Sequence, residues 1–342
     1  MNPCIVYLAQ NSQEDFQYGR DSRTMLIKSL DLLFDNYNNQ FKHPVLIFHE
    51  GDFDEVSQNE VRKGREEIVF HEVKFEIPSF LNVAEIPEMW DEVFGIGHRH
   101  MIRFYAIQIF DILKKLGFDW FFRMDDDSFI HTKIEYNLFD YLENNGFLYG
   151  YRVDIKEPER TSFGFSDMIL AYLKAERIKP QFFLENFQHS HRVNNEFFTL
   201  KGMIKRKLTN ILDRLSVILN HDLNNWPPPT EWNRWGFYNN FFITNIDFWQ
   251  QPRVKAILDH FDRTGGIYKY RWNDLIFQTV VIQIFLPKTR VHKFTDWTYE
   301  HATIKNGKLD WGGIYPGISY ENSQIIVDFE KKYGKSKISN SF

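Results

Sequence analysis

The sequence predicts an α/β protein with a mostly parallel central sheet and flanking helices. Three observations predict it. Apolar runs short enough for strands alternate with stretches of 3.6-residue apolar spacing through the first half of the chain. One of those runs, FDWFFRM at 118–124, is apolar almost without a break, as a strand covered on both faces must be. That run ends in Asp125, Asp126 and Asp127, at the kind of carboxyl edge where parallel sheets bind ligands.

The elements follow in order. CIVYLA (4–9) has the continuous apolar character of a buried first strand. In 22–38, Met25, Leu26, Leu30, Leu33 and Phe34 recur at helical spacing. PVLIFHEG (44–51) is a second strand, 54–64 a short helix and EIVFHEVKF (67–75) a third strand. Ile102, Ala106, Ile109, Ile112 and Leu113 put an apolar stripe on a helix over 98–116, with Gly117 where a terminating glycine belongs. The aspartate-bearing strand comes next, then a helix over 137–145 closed by Gly146 and a strand in FLYGYRVD (147–154).

From 156 to 235 the pattern loosens, with helical spacing in 166–176 and 200–220 followed by WPPPTEW, whose prolines exclude helix and central strand. We expect a helical insertion there, on the acceptor side of any site. FFITNIDFW, a helix over 251–264 and the apolar run 268–286 restore regular structure. The expected organisation is one domain over 1–325 and a polar tail over 326–342.

Composition narrows the function. A formal net charge of −5 over 342 residues supplies no basic field for a polyanion, so nucleic acid is not an expected partner. The lone Cys4 excludes an intrachain disulfide framework and a thiolate metal site. No apolar run reaches the roughly 18 residues of a transmembrane helix, and CIVYLA follows Met1 too closely for a signal peptide. A soluble protein is expected, cytoplasmic if Met1 is the natural start. Aromatic residues make up 17% of the chain, which suits a phenylalanine-rich core and also platforms for sugars.

Asp125 and Asp127 stand two apart, so on a turning backbone both reach one divalent cation while Asp126 points elsewhere. Their hard oxygens suit Mg²⁺ or Mn²⁺. A cation held there could neutralise a leaving diphosphate. A solvated turn or a helix cap would present the same residues.

Several ordered segments carry a family resemblance: YLAQNS, NNQFKHPVLIF, GHRHMIRFYA, WFFRMDDDSFI, LYGYRVDI, FYNNFFITNIDFW and FDRTGGIYKYRWND, spread over roughly residues 5 to 300. In that order the chain resembles the fungal α-1,2-mannosyltransferase family, glycosyltransferase family 15. The resemblance implies a GT-A fold, transfer of mannose from GDP-mannose to a glycan hydroxyl with retention, and a divalent metal, Mn²⁺ rather than Mg²⁺. Members are usually anchored in the Golgi membrane.

The resemblance also assigns residues. Asp125 takes the place of the family's metal-segment glutamate and Asp127 that of its aspartate. Asn11, Arg99, Arg103 and Asp125 are expected at the donor, and Asn240 and Asp274 at the reacting centre. Trp232, Trp235 and Tyr238 could stack on the acceptor or pack a loop onto the core. Two departures stand out. The glutamate proposed as nucleophile falls on Phe242, which cannot form a glycosyl ester or stabilise positive charge. A metal-ligand histidine falls on Gln278, so His292 or His301 is expected to replace it. A catalytically silent nucleotide-sugar or glycan-binding protein is the alternative these departures raise.

Overall fold

The computed structural model describes residues 1–12, 21–90, 94–187, 232–305, 307–321 and 323–336. The expected helix over 200–220 and the WPPPTE segment lie outside them. Its centre is a seven-stranded sheet of β1 (Pro3–Leu8), β2 (Val45–His49), β3 (Ile68–Glu72), β4 (Trp120–Met124), β6 (Tyr149–Tyr151), β9 (Phe241–Asn245) and β10 (Val291–Lys293). Their spatial order is β10-β6-β9-β4-β1-β2-β3. β4, β1, β2 and β3 pair in parallel, and so do β6 and β10. β9 runs antiparallel between β4 and β6 and joins the two parallel groups.

The central strands are apolar for the expected reason. β2 and β4 are buried along their whole length, β4 with Phe121 and Phe122 fully enclosed. Each such phenylalanine contributes about 1.5–3 kcal/mol by leaving water. The helix Ser22–Leu33 buries Leu26, Leu30 and Leu33, and Asp21 caps it by accepting from the Thr24 N–H. The predicted long helix before β4 is present as Ile96–Arg103 and Ile109–Lys115 joined by a π turn over Phe104–Gln108.

Three features depart from the sequence expectation. The 147–154 strand divides into β6 and β7 (Asp154–Lys156), and β7 pairs with β8 (Trp235–Phe237). A three-stranded sheet forms from β5 (Ser128–Ile130), β11 (Tyr299–Lys305) and β12 (Lys308–Tyr315), with β11 in the middle. The expected polar tail contains a helix, Gln324–Tyr333, whose Ile326 and Phe329 join Ile304, Leu309 and Ile314 in a second small core. Its two buried side chains, Ile326 and Phe329, are three apart, while Ile325 and Val327 beside them face solvent, so the apolar residues of the segment do not mark out one face.

Candidate active site

β4 delivers its last residues to the carboxyl edge of the sheet and turns at once. The Asp125 carbonyl accepts from the Ser128 N–H at 3.0 Å, and the Asp125 N–H donates to the Asn240 carbonyl at 3.3 Å. The turn brings Asp125 and Asp127 together with His301 of β11, their ligand atoms all within 4.8 Å of one another. Among the described residues no other cluster of three such groups occurs. His301 Nδ1 lies 3.0 Å from Asp127 Oδ1 and 3.3 Å from Ser128 Oγ. Two carboxylates and an imidazole form a donor set that suits Mn²⁺ and leaves positions for other oxygens. Of the two expected histidines, His301 is the one that stands with the two aspartates.

His292 is not part of it. Its ring packs between Phe147, Tyr141 and Phe294, and burial holds its pKa below the ordinary histidine value. Gln278 is also remote in role: it is fully buried and donates to the Tyr105 carbonyl at 3.0 Å. The substitution at 278 therefore falls in the core, while β11 supplies an imidazole from elsewhere.

Arg123 organises the ground beneath the acidic turn. It is 2% exposed, yet its Nε donates to Asp125 Oδ1 at 2.8 Å, its Nη2 to Asp125 Oδ2 at 3.3 Å and its Nη1 to Asp274 Oδ2 at 2.5 Å. Its guanidinium lies 3.5 Å over the Tyr105 ring. A buried guanidinium demands such partners, since an unpaired charge there would be prohibitive. The cross-strand neighbour of Arg123 on β9 is Phe242, which packs against Phe121 and Tyr149. The countercharge of Arg123 thus comes from Asp125 and Asp274, with an aromatic ring opposite it on the neighbouring strand.

Asp274 opens the helix Asp274–Phe285, which Asn273 caps by accepting from the Leu275 N–H. Nearby, Glu157 is buried. It accepts from Thr161 Oγ1 at 2.5 Å and from Asn273 Nδ2 at 3.3 Å, and lies 3.7 Å from Arg271 Nη1. Arg271 Nη2 is 3.0 Å from His98 Nε2.

The charges respond to this packing. Burial pushes the Asp125 carboxyl up, against the pull of Arg123. Burial and then the two flanking carboxylates push Asp126 up further. Asp127 also suffers burial, but His301 beside it brings it below the ordinary carboxylate value. His301 is raised, because Asp127 and Asp125 outweigh its burial.

The other expected site residues divide sharply. Tyr238 is buried edge-on to His301 with ring centroids 5.2 Å apart. Asn240 is buried beside the turn with neither amide atom hydrogen-bonded. Asn11 stands past the end of β1, its Nδ2 donating to the Asp52 carbonyl at 2.9 Å and to Ser57 Oγ at 3.1 Å, its Oδ1 buried without a partner. Arg99 is fully buried and donates to the carbonyls of Gly95, Tyr268, Pro87 and Glu88. Arg103 has both its Nε and Nη2 held by the Asp262 carboxylate at 2.8 and 2.7 Å. Trp232 is buried against Phe165 and Phe183, as a packing residue. Trp235 lies half-buried in β8, paired with Lys156.

Arg123 and Glu157 were missed from sequence. The signal for Arg123 was present, an arginine inside an otherwise apolar buried strand two residues before an aspartate. Glu157 carried none.

A mixed sheet with one antiparallel strand, a metal-ligand set at the carboxyl edge of β4 and a second small sheet behind it define a GT-A type glycosyltransferase fold. Core-mannan synthase A of Aspergillus fumigatus, solved in a Mn/GDP form, superimposes with a TM-score of 0.69 at 15% identity, over 90% of this chain and 76% of its own. The mannosyltransferase Ktr4p of S. cerevisiae, solved with GDP, superimposes with a TM-score of 0.66 over 94% of this chain and 75% of its own, also at 15% identity.

Residues 1–310 match the glycolipid 2-alpha-mannosyltransferase family, and the chain belongs to it. Glycolipid 2-alpha-mannosyltransferase 2 of Candida albicans is 24% identical over 313 residues, 87% of this chain and 58% of the relative. The glycolipid 2-alpha-mannosyltransferase of Saccharomyces cerevisiae is 24% identical over 302 residues, 83% of this chain and 59% of the relative. The chain thus spans somewhat under three fifths of the length of these relatives. Among the described residues no helix is long and apolar enough to cross a membrane.

Proposed function

We propose that this chain is a metal-dependent glycosyltransferase that moves mannose from GDP-mannose onto a hydroxyl of a glycan acceptor. The observation that carries the reading is the convergence of Asp125, Asp127 and His301 at the carboxyl edge of β4. The residues present fit a divalent cation: hard carboxylate oxygens and one imidazole, beside an Asn240 amide whose two polar atoms are buried and unpartnered. The chemistry supplied by Mn²⁺ held there is neutralisation of the charge that develops on the leaving diphosphate.

The chain's own residues do the rest. Asp125 and Asp127, with His301, would hold the cation that the donor's diphosphate meets, and Asn240 offers a donor and an acceptor to the sugar. Asn11, with an unpaired buried Oδ1 at the end of β1, is placed by this reading at the nucleoside. Asp274, held in place by its ion pair with Arg123, stabilises the oxocarbenium-like centre that the family glutamate would face at position 242. The match to mannosyltransferases and their GDP-bound structures supports guanine and mannose as the donor's parts.

The test incubates the protein with Mn²⁺ and a panel of sugar nucleotides. Slow, Mn²⁺-dependent hydrolysis of GDP-mannose that Asp127→Ala removes is the expected result. GDP binding without turnover of any donor would leave a binding protein of the same fold.

A further inference from the structure

We propose that Gly312 of β12 is a positioning residue for the metal site, setting through the β11–β12 ladder where His301 stands; the inference rests on the metal reading above. β11 is flanked on both sides. Its residue His301 is opposite Ser128 of β5 and Gly313 of β12, and Ala302 is opposite Gly312. The β5 side is anchored to the acidic turn, since Ser128 directly follows Asp127 and its Oγ meets Tyr299 Oη at 2.8 Å. The β12 side decides how far β11 can move away from that turn.

Gly312 has a φ of +73°. A Cβ built on it would overlap the His301 carbonyl oxygen and stand 3.2 Å from the His301 carbonyl carbon and 3.4 Å from Ala302 Cα. All three neighbours are backbone, so no side chain can rotate to relieve the overlap, and β11 itself must shift. Ser336 fixes the outer face of the hairpin, its Oγ donating to the Ile314 carbonyl at 2.8 Å and accepting from the Ile314 N–H at 3.0 Å. The helix Gln324–Tyr333 seals the arrangement through Ile326 and Phe329 against Ile304, Leu309 and Ile314. The family match ends at residue 310, inside β12, so Gly312, Ser336 and the sealing helix lie outside it.

Gly307 offers an internal control. It sits in the same hairpin at φ +72°, and a Cβ there would meet nothing within 4 Å. Gly312→Ala and Gly307→Ala therefore impose comparable backbone strain, and only the first adds a steric push on the His301 backbone. Mn²⁺ titrations followed by electron paramagnetic resonance are expected to show affinity falling on the order of tenfold or more in Gly312→Ala. Gly307→Ala should stay within about twofold of wild type, because its turn does not bear on the ligand. The imidazole ¹⁵N coupling to bound Mn²⁺ should weaken in Gly312→Ala alone, a signature that a merely structural role would leave intact.

Equal Mn²⁺ affinities in the two alanine variants would overturn the proposal while leaving the metal reading in place. A wild-type protein that binds no Mn²⁺ would overturn both. If circular dichroism shows Gly312→Ala to be unfolded, Ser336→Ala takes its place, since it removes the outer tie without adding an atom. It should weaken Mn²⁺ about threefold, and an unchanged affinity would again refute the role of β12.

Discussion

The acidic turn after β4 and the basic helix Ile96–Arg103 look alike as sequence and differ as structure. Both present several charges within a few residues, and both suggest a diphosphate site. In the helix these polar side chains are already engaged. Arg99 donates to four backbone carbonyls, Arg103 is held bidentately by Asp262, and His98 meets Arg271. In the turn, Asp125 and Asp127 retain side-chain exposures of 24% and 20%, so they keep oxygen capacity that no neighbour takes up. Residual hydrogen-bonding capacity, more than charge, separates a site from a buttress.

The largest test of that contrast is Asp127→Ala, which should lower Mn²⁺-dependent donor turnover on the order of a thousandfold or more with little change in thermal stability. An equal loss of stability would mean that the turn, too, is a structural knot. Next comes Arg103→Ala, which strands the buried Asp262 carboxylate and should cost about 3–5 kcal/mol of stability. Its GDP and Mn²⁺ affinities should stay at wild-type values in calorimetry; a selective loss of GDP binding would return the helix to the donor site.

His98 sharpens the same comparison through pH. Burial first, and then Arg271, Arg99 and Arg123, hold its pKa down to about 3. The folded protein keeps this ring neutral while the unfolded chain takes up a proton below about 6.5. Its contribution to stability is therefore complete above that pH and is lost as pH falls from 6.5 toward 3. Urea midpoints measured across this window should fall less steeply for His98→Gln than for wild type, and parallel curves would refute the assignment. The smallest effect is expected of His292→Phe, which keeps a ring among Phe147, Tyr141 and Phe294 and should leave Mn²⁺ affinity unchanged.

Much of this was legible in the sequence where local pattern and tertiary demand agree. β1, β2 and β4 announce themselves because strands covered on both faces need continuous apolar runs, and the DDD turn follows the last of them. At β9 only the return of regular structure was legible, not a strand or its antiparallel direction, since direction depends on connections through a long intervening segment. The partners of Arg99 and Arg103 were not legible, because helical spacing reveals which residues share a face and says nothing of what covers that face. His301 stood as one of two histidine candidates, and only the pairing of β11 with β5 selects it. The helix Gln324–Tyr333 escaped because Ile325 and Val327 are apolar yet exposed, which blurs the spacing of the buried Ile326 and Phe329.

The position of β9 has a consequence for how the chain is made. Trp120 of β4 pairs with Asn245, and Tyr149 of β6 pairs with Thr244, so the two parallel groups are joined only by a strand synthesised much later. While the ribosome is still translating the segment between the earlier strands and β8, β4 presents an unpaired edge rich in phenylalanine to its surroundings or to whatever chaperone is at hand. Closing such long-range pairs is slow. The nascent chain should therefore be most prone to aggregate in that interval, and the arrival of FFITN from the exit tunnel is the event that ends it.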